Sequence, residues 1–82
     1  MPTVLRVGGL RFVIWPHDHD PAHVHVYVGG GLLVVKLGGR GRKPETRENI
    51  GASGADERRA LRITSEHQAF LLSKWEEIHG QK

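Results

Sequence analysis

Two glycine clusters constrain this chain more than any other feature. Gly8-Gly9 separates Thr3–Val7 from residues 10–15, and Gly29-Gly30-Gly31 separates His23–Val28 from residues 32–37. The flanking runs are rich in β-branched, aromatic and leucine side chains, and glycine tolerates the positive φ that tight hairpin turns require. The spacing therefore predicts two β-hairpins. A turn at Gly8-Gly9 pairs Val7 with Leu10, Leu5 with Phe12 and Thr3 with Ile14, which gives one mostly apolar core face. Val4, Arg6, Arg11, Val13 and Trp15 then lie on the opposite face. In the second hairpin Val24, Val26 and Val28 alternate with His23, His25 and Tyr27. A turn at Gly30-Gly31 sets Val28 against Leu33, Val26 against Val35 and Val24 against Leu37. It also places His25 across from Lys36 and Tyr27 across from Val34.

Residues 38–53 hold four glycines, a proline and many charges, and read as an exposed basic loop. From about Ala55 the pattern turns helical, with Ser53 or Asp56 available as the cap. Leu61, Leu72, Trp75 and Ile78 fall near one stripe, with Phe70 and Leu71 beside it. Ser65-Glu66-His67-Gln68 has the form of a capping box and predicts a break into two helices. Gly80 ends the second. The expectation is a single α+β domain over 1–82: a four-stranded antiparallel sheet covered on one face by a broken C-terminal helix.

With 82 residues the core is thin, and a large enclosed active site is not expected. There is no cysteine, which excludes disulfides, thiol catalysis and thiolate metal sites. No apolar run is long enough for a membrane span, and the N-terminus lacks the pattern of a secretory signal, so the expected location is cytoplasmic. The net charge of +3 is uneven. Residues 36–62 carry eight basic side chains against four acidic ones, whereas residues 1–35 balance to zero. A basic middle suits an anionic partner such as nucleic acid, and equally an ordinary solubilising surface.

The chemistry-bearing segment is His17-Asp18-His19-Asp20-Pro21-Ala22-His23-Val24-His25-Val26, with four of the six histidines. This element, the opening Met1-Pro2-Thr3-Val4-Leu5-Arg6, the glycines at 29–31 and Leu71-Leu72-Ser73-Lys74-Trp75 together resemble the small bacterial proteins catalogued as domain of unknown function 4160. The resemblance covers nearly the whole chain. It implies an uncharacterised protein encoded beside another small protein, in what has been proposed as a toxin–antitoxin-like module. His19, His23 and His25 match the family's motif positions.

Three readings of the histidines follow from their chemistry. In the first, His23 and His25 point the same way from a strand and share a zinc or other divalent transition ion, with His19, Asp18 or Asp20 as a third ligand. In the second, no cofactor is needed. Two imidazoles among His19, His23 and His25 divide the proton transfers of RNA cleavage, and Lys36 stabilises the charge. The outer face then binds the strand through Arg6, Arg11, Trp15 and Tyr27, helped by Arg40, Arg42 and Lys43 of the basic loop. In the third, the histidines only hold the 16–21 turn and line a solvated face. The leading expectation is a protein that binds or acts on RNA, with a neighbouring gene's product as protein partner and self-association open to a Leu- and Val-rich hairpin. The alternatives are a metal-binding module, and a protein-interaction partner using Trp15, Val13 and Tyr27.

Overall fold

The computed structural model describes residues 3–39 and 41–80. Five strands form one antiparallel meander in the order β1-β2-β3-β4-β5: β1 (Thr3–Val7), β2 (Leu10–Val13), β3 (His23–Val28), β4 (Gly31–Lys36) and β5 (Glu45–Ile50). Two helices follow, α1 (Gly54–Glu66) and α2 (Gln68–His79). The α+β class and the helix break are as expected, but the sheet has five strands rather than four. The fifth is Glu-Thr-Arg-Glu-Asn-Ile, drawn from the stretch read as loop. It has no alternation of apolar and polar side chains, because it is a solvent-facing edge. Its charges and the bulge opposite Val34 and Val35 suit an edge that must not pair further. Asn49 fastens its end to the helices: the amide donates to Glu57 Oε1 at 2.9 Å, and Oδ1 accepts from the Ala52 amide.

The first hairpin keeps Val7 opposite Leu10 and Leu5 opposite Phe12. A register irregularity near Thr3 then sets that residue against Val13, not Ile14. The second hairpin differs by two residues from the expected register. Gly29-Gly30 make the turn, so Val28 faces Gly31, Val26 faces Leu33, Val24 faces Val35, His25 faces Val34 and His23 faces Lys36. Gly31 is reserved for another purpose: a Cβ there would lie 2.6 Å from the backbone nitrogen of Ala52. Only a residue without a side chain permits that approach. Since a shift of two preserves side-chain parity, the core face is still Leu33, Val35 and Leu37.

That face carries Leu10 and Phe12 of β2, Ile14 just beyond it, and Val24, Val26 and Val28 of β3. Ala60, Ile63, Leu71 and Trp75 of the helices close over it. Ser53 caps α1 by accepting from the Asp56 amide, and Asp56 and Glu57 in the first turn suit the helix dipole. The interruption between helices is made by His67, whose backbone N–H and ring Nδ1–H both donate to the Ile63 carbonyl. Ser65 remains inside α1, so the capping-box form marks the place of the break without acting as the cap. Among the described residues no helix is long and apolar enough to cross a membrane.

The fully buried Phe12 and the exposed Phe70 give a direct check of this layering. Phe12→Ala should cost about 3–5 kcal/mol in denaturant unfolding, and Phe70→Ala less than about 1 kcal/mol.

Candidate metal centre

The outer face of the sheet is not uniformly solvated. Val13, His25 and Val34 occupy one cross-strand row, and both valines are buried. A surface of exposed Val13, Trp15 and Tyr27 therefore does not exist as expected, because Val13 is inaccessible. The row's central member, His25, is held between apolar neighbours. His23, one position along the same face, is only 5% exposed. His23 is therefore not a solvated strand residue, whereas His25 keeps a partly exposed side chain.

The 16–21 loop brings a carboxylate onto this row. It begins as a tight turn in which the Asp18 amide donates to the Trp15 carbonyl at 3.1 Å and the Trp15 amide donates to Asp18 Oδ2 at 3.1 Å. His79 at the end of α2 fixes the same turn from outside through Nε2–H to the Trp15 carbonyl at 3.0 Å. The result points Asp18 Oδ2 at both histidines, 3.5 Å from His23 Nε2 and 3.7 Å from His25 Nδ1. The three ligand atoms all lie within 4.8 Å of one another.

The protonation pattern of this cluster follows from its partners. His23 Nδ1 lies 3.0 Å from the Pro21 carbonyl, which can only accept, so Nδ1 carries the proton. In the neutral ring Nε2 is then a lone pair, and it faces a carboxylate oxygen. His25 Nδ1 is buried with no hydrogen-bond partner among the described residues. Burial pushes the His25 pKa below the ordinary 6.5; Asp18 opposes this, and the positive potentials of His23 and Arg47 add to it. The cluster thus gathers a carboxylate oxygen and two imidazole nitrogens around one point.

Four rings run from this point around the end of the sheet. His25 lies 5.4 Å from His23, His23 lies 5.3 Å from Trp75, and Trp75 lies 3.9 Å from His79 between ring centroids. Trp75 therefore belongs to the core and also braces His23. Beside the cluster opens a polar cavity of about 300 Å³, lined by His17, His19, Asp20, Arg47 and Glu48 among others.

The remaining sequence candidates are distributed around this centre. His19 is exposed on the loop and lines the cavity; it is not among the three clustered ligands. Lys36 stands opposite His23 and pairs with Glu45 at 3.2 Å. Arg6 faces Arg11 across β1 and β2, and the Arg11 guanidinium sits 4.7 Å from the centroid of the Tyr27 ring. Trp15 is 38% exposed. Arg42 and Lys43 are exposed on the loop before β5, and Arg40 lies outside the described residues. Asp18 was one of three third-ligand candidates, and only the turn geometry selects it. Arg47 was not singled out, because its place beside His25 depends on a strand that the sequence does not announce.

The family model for a domain of unknown function, DUF4160, matches residues 9–76. No curated protein and no solved structure matches the chain.

In the metal-free protein, NMR titration should place the His25 midpoint below 6.5. Asp18→Asn should lower it further, since the lost carboxylate favours the imidazolium, and Arg47→Ala should raise it. A depressed folded-state pKa contributes stability present above about 6.5 and lost as pH falls through the folded value. Wild type should therefore lose more stability on acidification than His25→Ala.

Proposed function

The chain belongs to the DUF4160 family, and for it we propose a metal-binding function centred on Asp18, His23 and His25. The observation that carries this reading is the convergence of a carboxylate oxygen and two imidazole nitrogens, one of them a buried atom without a hydrogen-bond partner among the described residues. A tetrahedral ion with bonds of about 2.0–2.1 Å separates its ligand atoms by roughly 3.3–3.4 Å. The spacings of 3.5 and 3.7 Å to Asp18 Oδ2 are within a few tenths of that, and the two imidazole nitrogens lie within 4.8 Å of each other. His23 also has the outer contact expected of a metal-binding histidine, its other nitrogen donating to a backbone carbonyl.

Two histidines and one carboxylate leave at least one coordination position open, the pattern of reactive rather than purely structural sites. A divalent ion held by Asp18, His23 and His25 would supply Lewis-acid chemistry and lower the pKa of bound water. The three residues line the polar cavity, through which a substrate group would approach. A second reading, metal-free acid–base chemistry by His23 and His25 on RNA, is favoured by one observation: the two imidazole rings lie 5.4 Å apart between centroids and both line the same polar cavity.

Cobalt(II) and zinc titrations separate the two. The metal reading expects saturable one-to-one uptake at pH 7.5, with intense tetrahedral visible bands for cobalt. It expects at least a tenfold loss of affinity in Asp18→Ala and in His25→Ala, and weakening below about pH 6 as the imidazoles take up protons. Wild-type protein without saturable uptake overturns it, and RNA cleavage in EDTA that His25→Ala loses establishes the second.

A further inference from the structure

We propose that the free edge of β1, with the apolar groove between β1 and α2, binds an extended segment of another protein, which adds antiparallel as a sixth strand and presents a carboxylate to Arg6. The sheet is an open meander, so β1 and β5 each have one unpaired side. β5 is guarded by its charges and its bulge. β1, with the sequence Thr-Val-Leu-Arg-Val, carries a single charge.

The hairpin turn fixes which main-chain groups of β1 look outward. Gly8 and Gly9 have φ of +51° and +84°, the two positive values of a type I′ turn. The pair that closes such a turn exchanges both of its hydrogen bonds, and bonded and non-bonded pairs then alternate along the ladder. Val7 with Leu10 and Leu5 with Phe12 are thus bonded pairs, and Arg6 with Arg11 is not. The amide and the carbonyl of Arg6 point away from β2. Among the described residues, no side chain or loop bonds to either group. A donor and an acceptor side by side on an extended chain are matched by another extended chain, the source of affinity in strand addition.

The side chains beside this edge leave room for the partner's own. Leu5 and Val7 share the inner face with Phe12 and Leu10. The latter two are buried and the former only half-buried, so the cover over the core thins toward β1. Next to the start of β1 lies a groove of about 750 Å³, lined by Val4, Ile14, Trp15 and Ile78 among others. Lys74 and Glu77 on its α2 side pair with each other at 3.2 Å and bring no net charge. A sixth strand extends the inner face over Leu5 and Val7 and sets an apolar side chain in this groove, against the exposed Trp15.

Arg6 sets the charge of the partner. It is exposed and lies directly opposite Arg11, a like-charged pair that costs stability. Arg11 has partners of its own, the Tyr27 ring and the Thr3 hydroxyl, to which Nη1 donates at 3.3 Å. Among the described residues, no carboxylate lies within ion-pair distance of Arg6. A residue opposite Arg6 on a sixth strand falls on the same outer face, where Asp or Glu offsets the charge. A second copy of β1 has no such residue, because the chain has no acid before Asp18, and the β5 of a second copy is the guarded edge. The occupant is a foreign segment in which apolar side chains alternate with an acidic one.

The test follows NMR amide shifts of the protein on addition of a blocked octapeptide that alternates valine with glutamate, up to millimolar concentration. Saturable shifts should concentrate at Thr3–Val7, Trp15 and Ile78. The glutamate opposite Arg6 exchanges both main-chain bonds with it, so methylating the glutamate nitrogens should weaken binding at least tenfold. Methylating the valine nitrogens, which face away, should weaken it far less. Trp15→Ala should weaken it at least threefold, and Arg6→Glu should invert the preference between this peptide and one with lysine in place of glutamate. Both substituted side chains are exposed, and thermal melts confirm a common fold. Absence of shifts at β1, equal binding of the glutamate-methylated peptide, or an unchanged preference in Arg6→Glu overturns the proposal. Concentration-dependent shifts of the same β1 amides without peptide assign the edge to a second copy and overturn it as well.

Discussion

Strand β3 has two faces with different duties, and the pleat ties them together. Val24, Val26 and Val28 fill the core, while His23, His25 and Tyr27 project oppositely. A one-residue slip would bury two imidazoles in the core and expel three valines. The hydrophobic energy of the valines therefore fixes the orientation of the histidines. At roughly 1.5–3 kcal/mol for each fully buried aliphatic side chain, this control far exceeds what an exposed hydrogen bond supplies. The candidate site inherits its precision from the core beneath it.

Much of this was legible in the sequence, because alternation and glycine punctuation are local signals. The strands of both hairpins, the apolar identity of the inner face, the break near residue 67 and the shared direction of His23 and His25 all follow from periods of two or 3.6 residues. The pairing offset in the second hairpin was not legible. Three successive glycines allow more than one turn, and the choice is made by Gly31 against the backbone of Ala52, twenty-one positions later. β5 was hidden for a related reason. Its pairing with β4 is set by β4's free edge, and its own six residues carry no alternation to report it.

The site was legible in composition and not in selection. The sequence offered Asp18, His19 and Asp20 almost equally as third ligand. The discriminating facts are the Trp15–Asp18 turn, whose local signal is Pro16, and the His79 contact that secures it from α2, 64 positions away and without any short-range signature. The burial of Val13 and Val34 on the outer face was equally unannounced. It turns a strand face that would be wet into a site dry enough to depress the His25 pKa.

The row of rings from His25 through His23 and Trp75 to His79 has an evolutionary consequence. Trp75 fills the core and braces a candidate ligand at once, so the two demands cannot be optimised separately. A replacement that keeps the hydrophobic volume but changes the outline of the indole would leave a folded protein with a displaced imidazole. Selection on chemistry would then act on the shape of a residue in the middle of a helix, where folding alone asks only for volume.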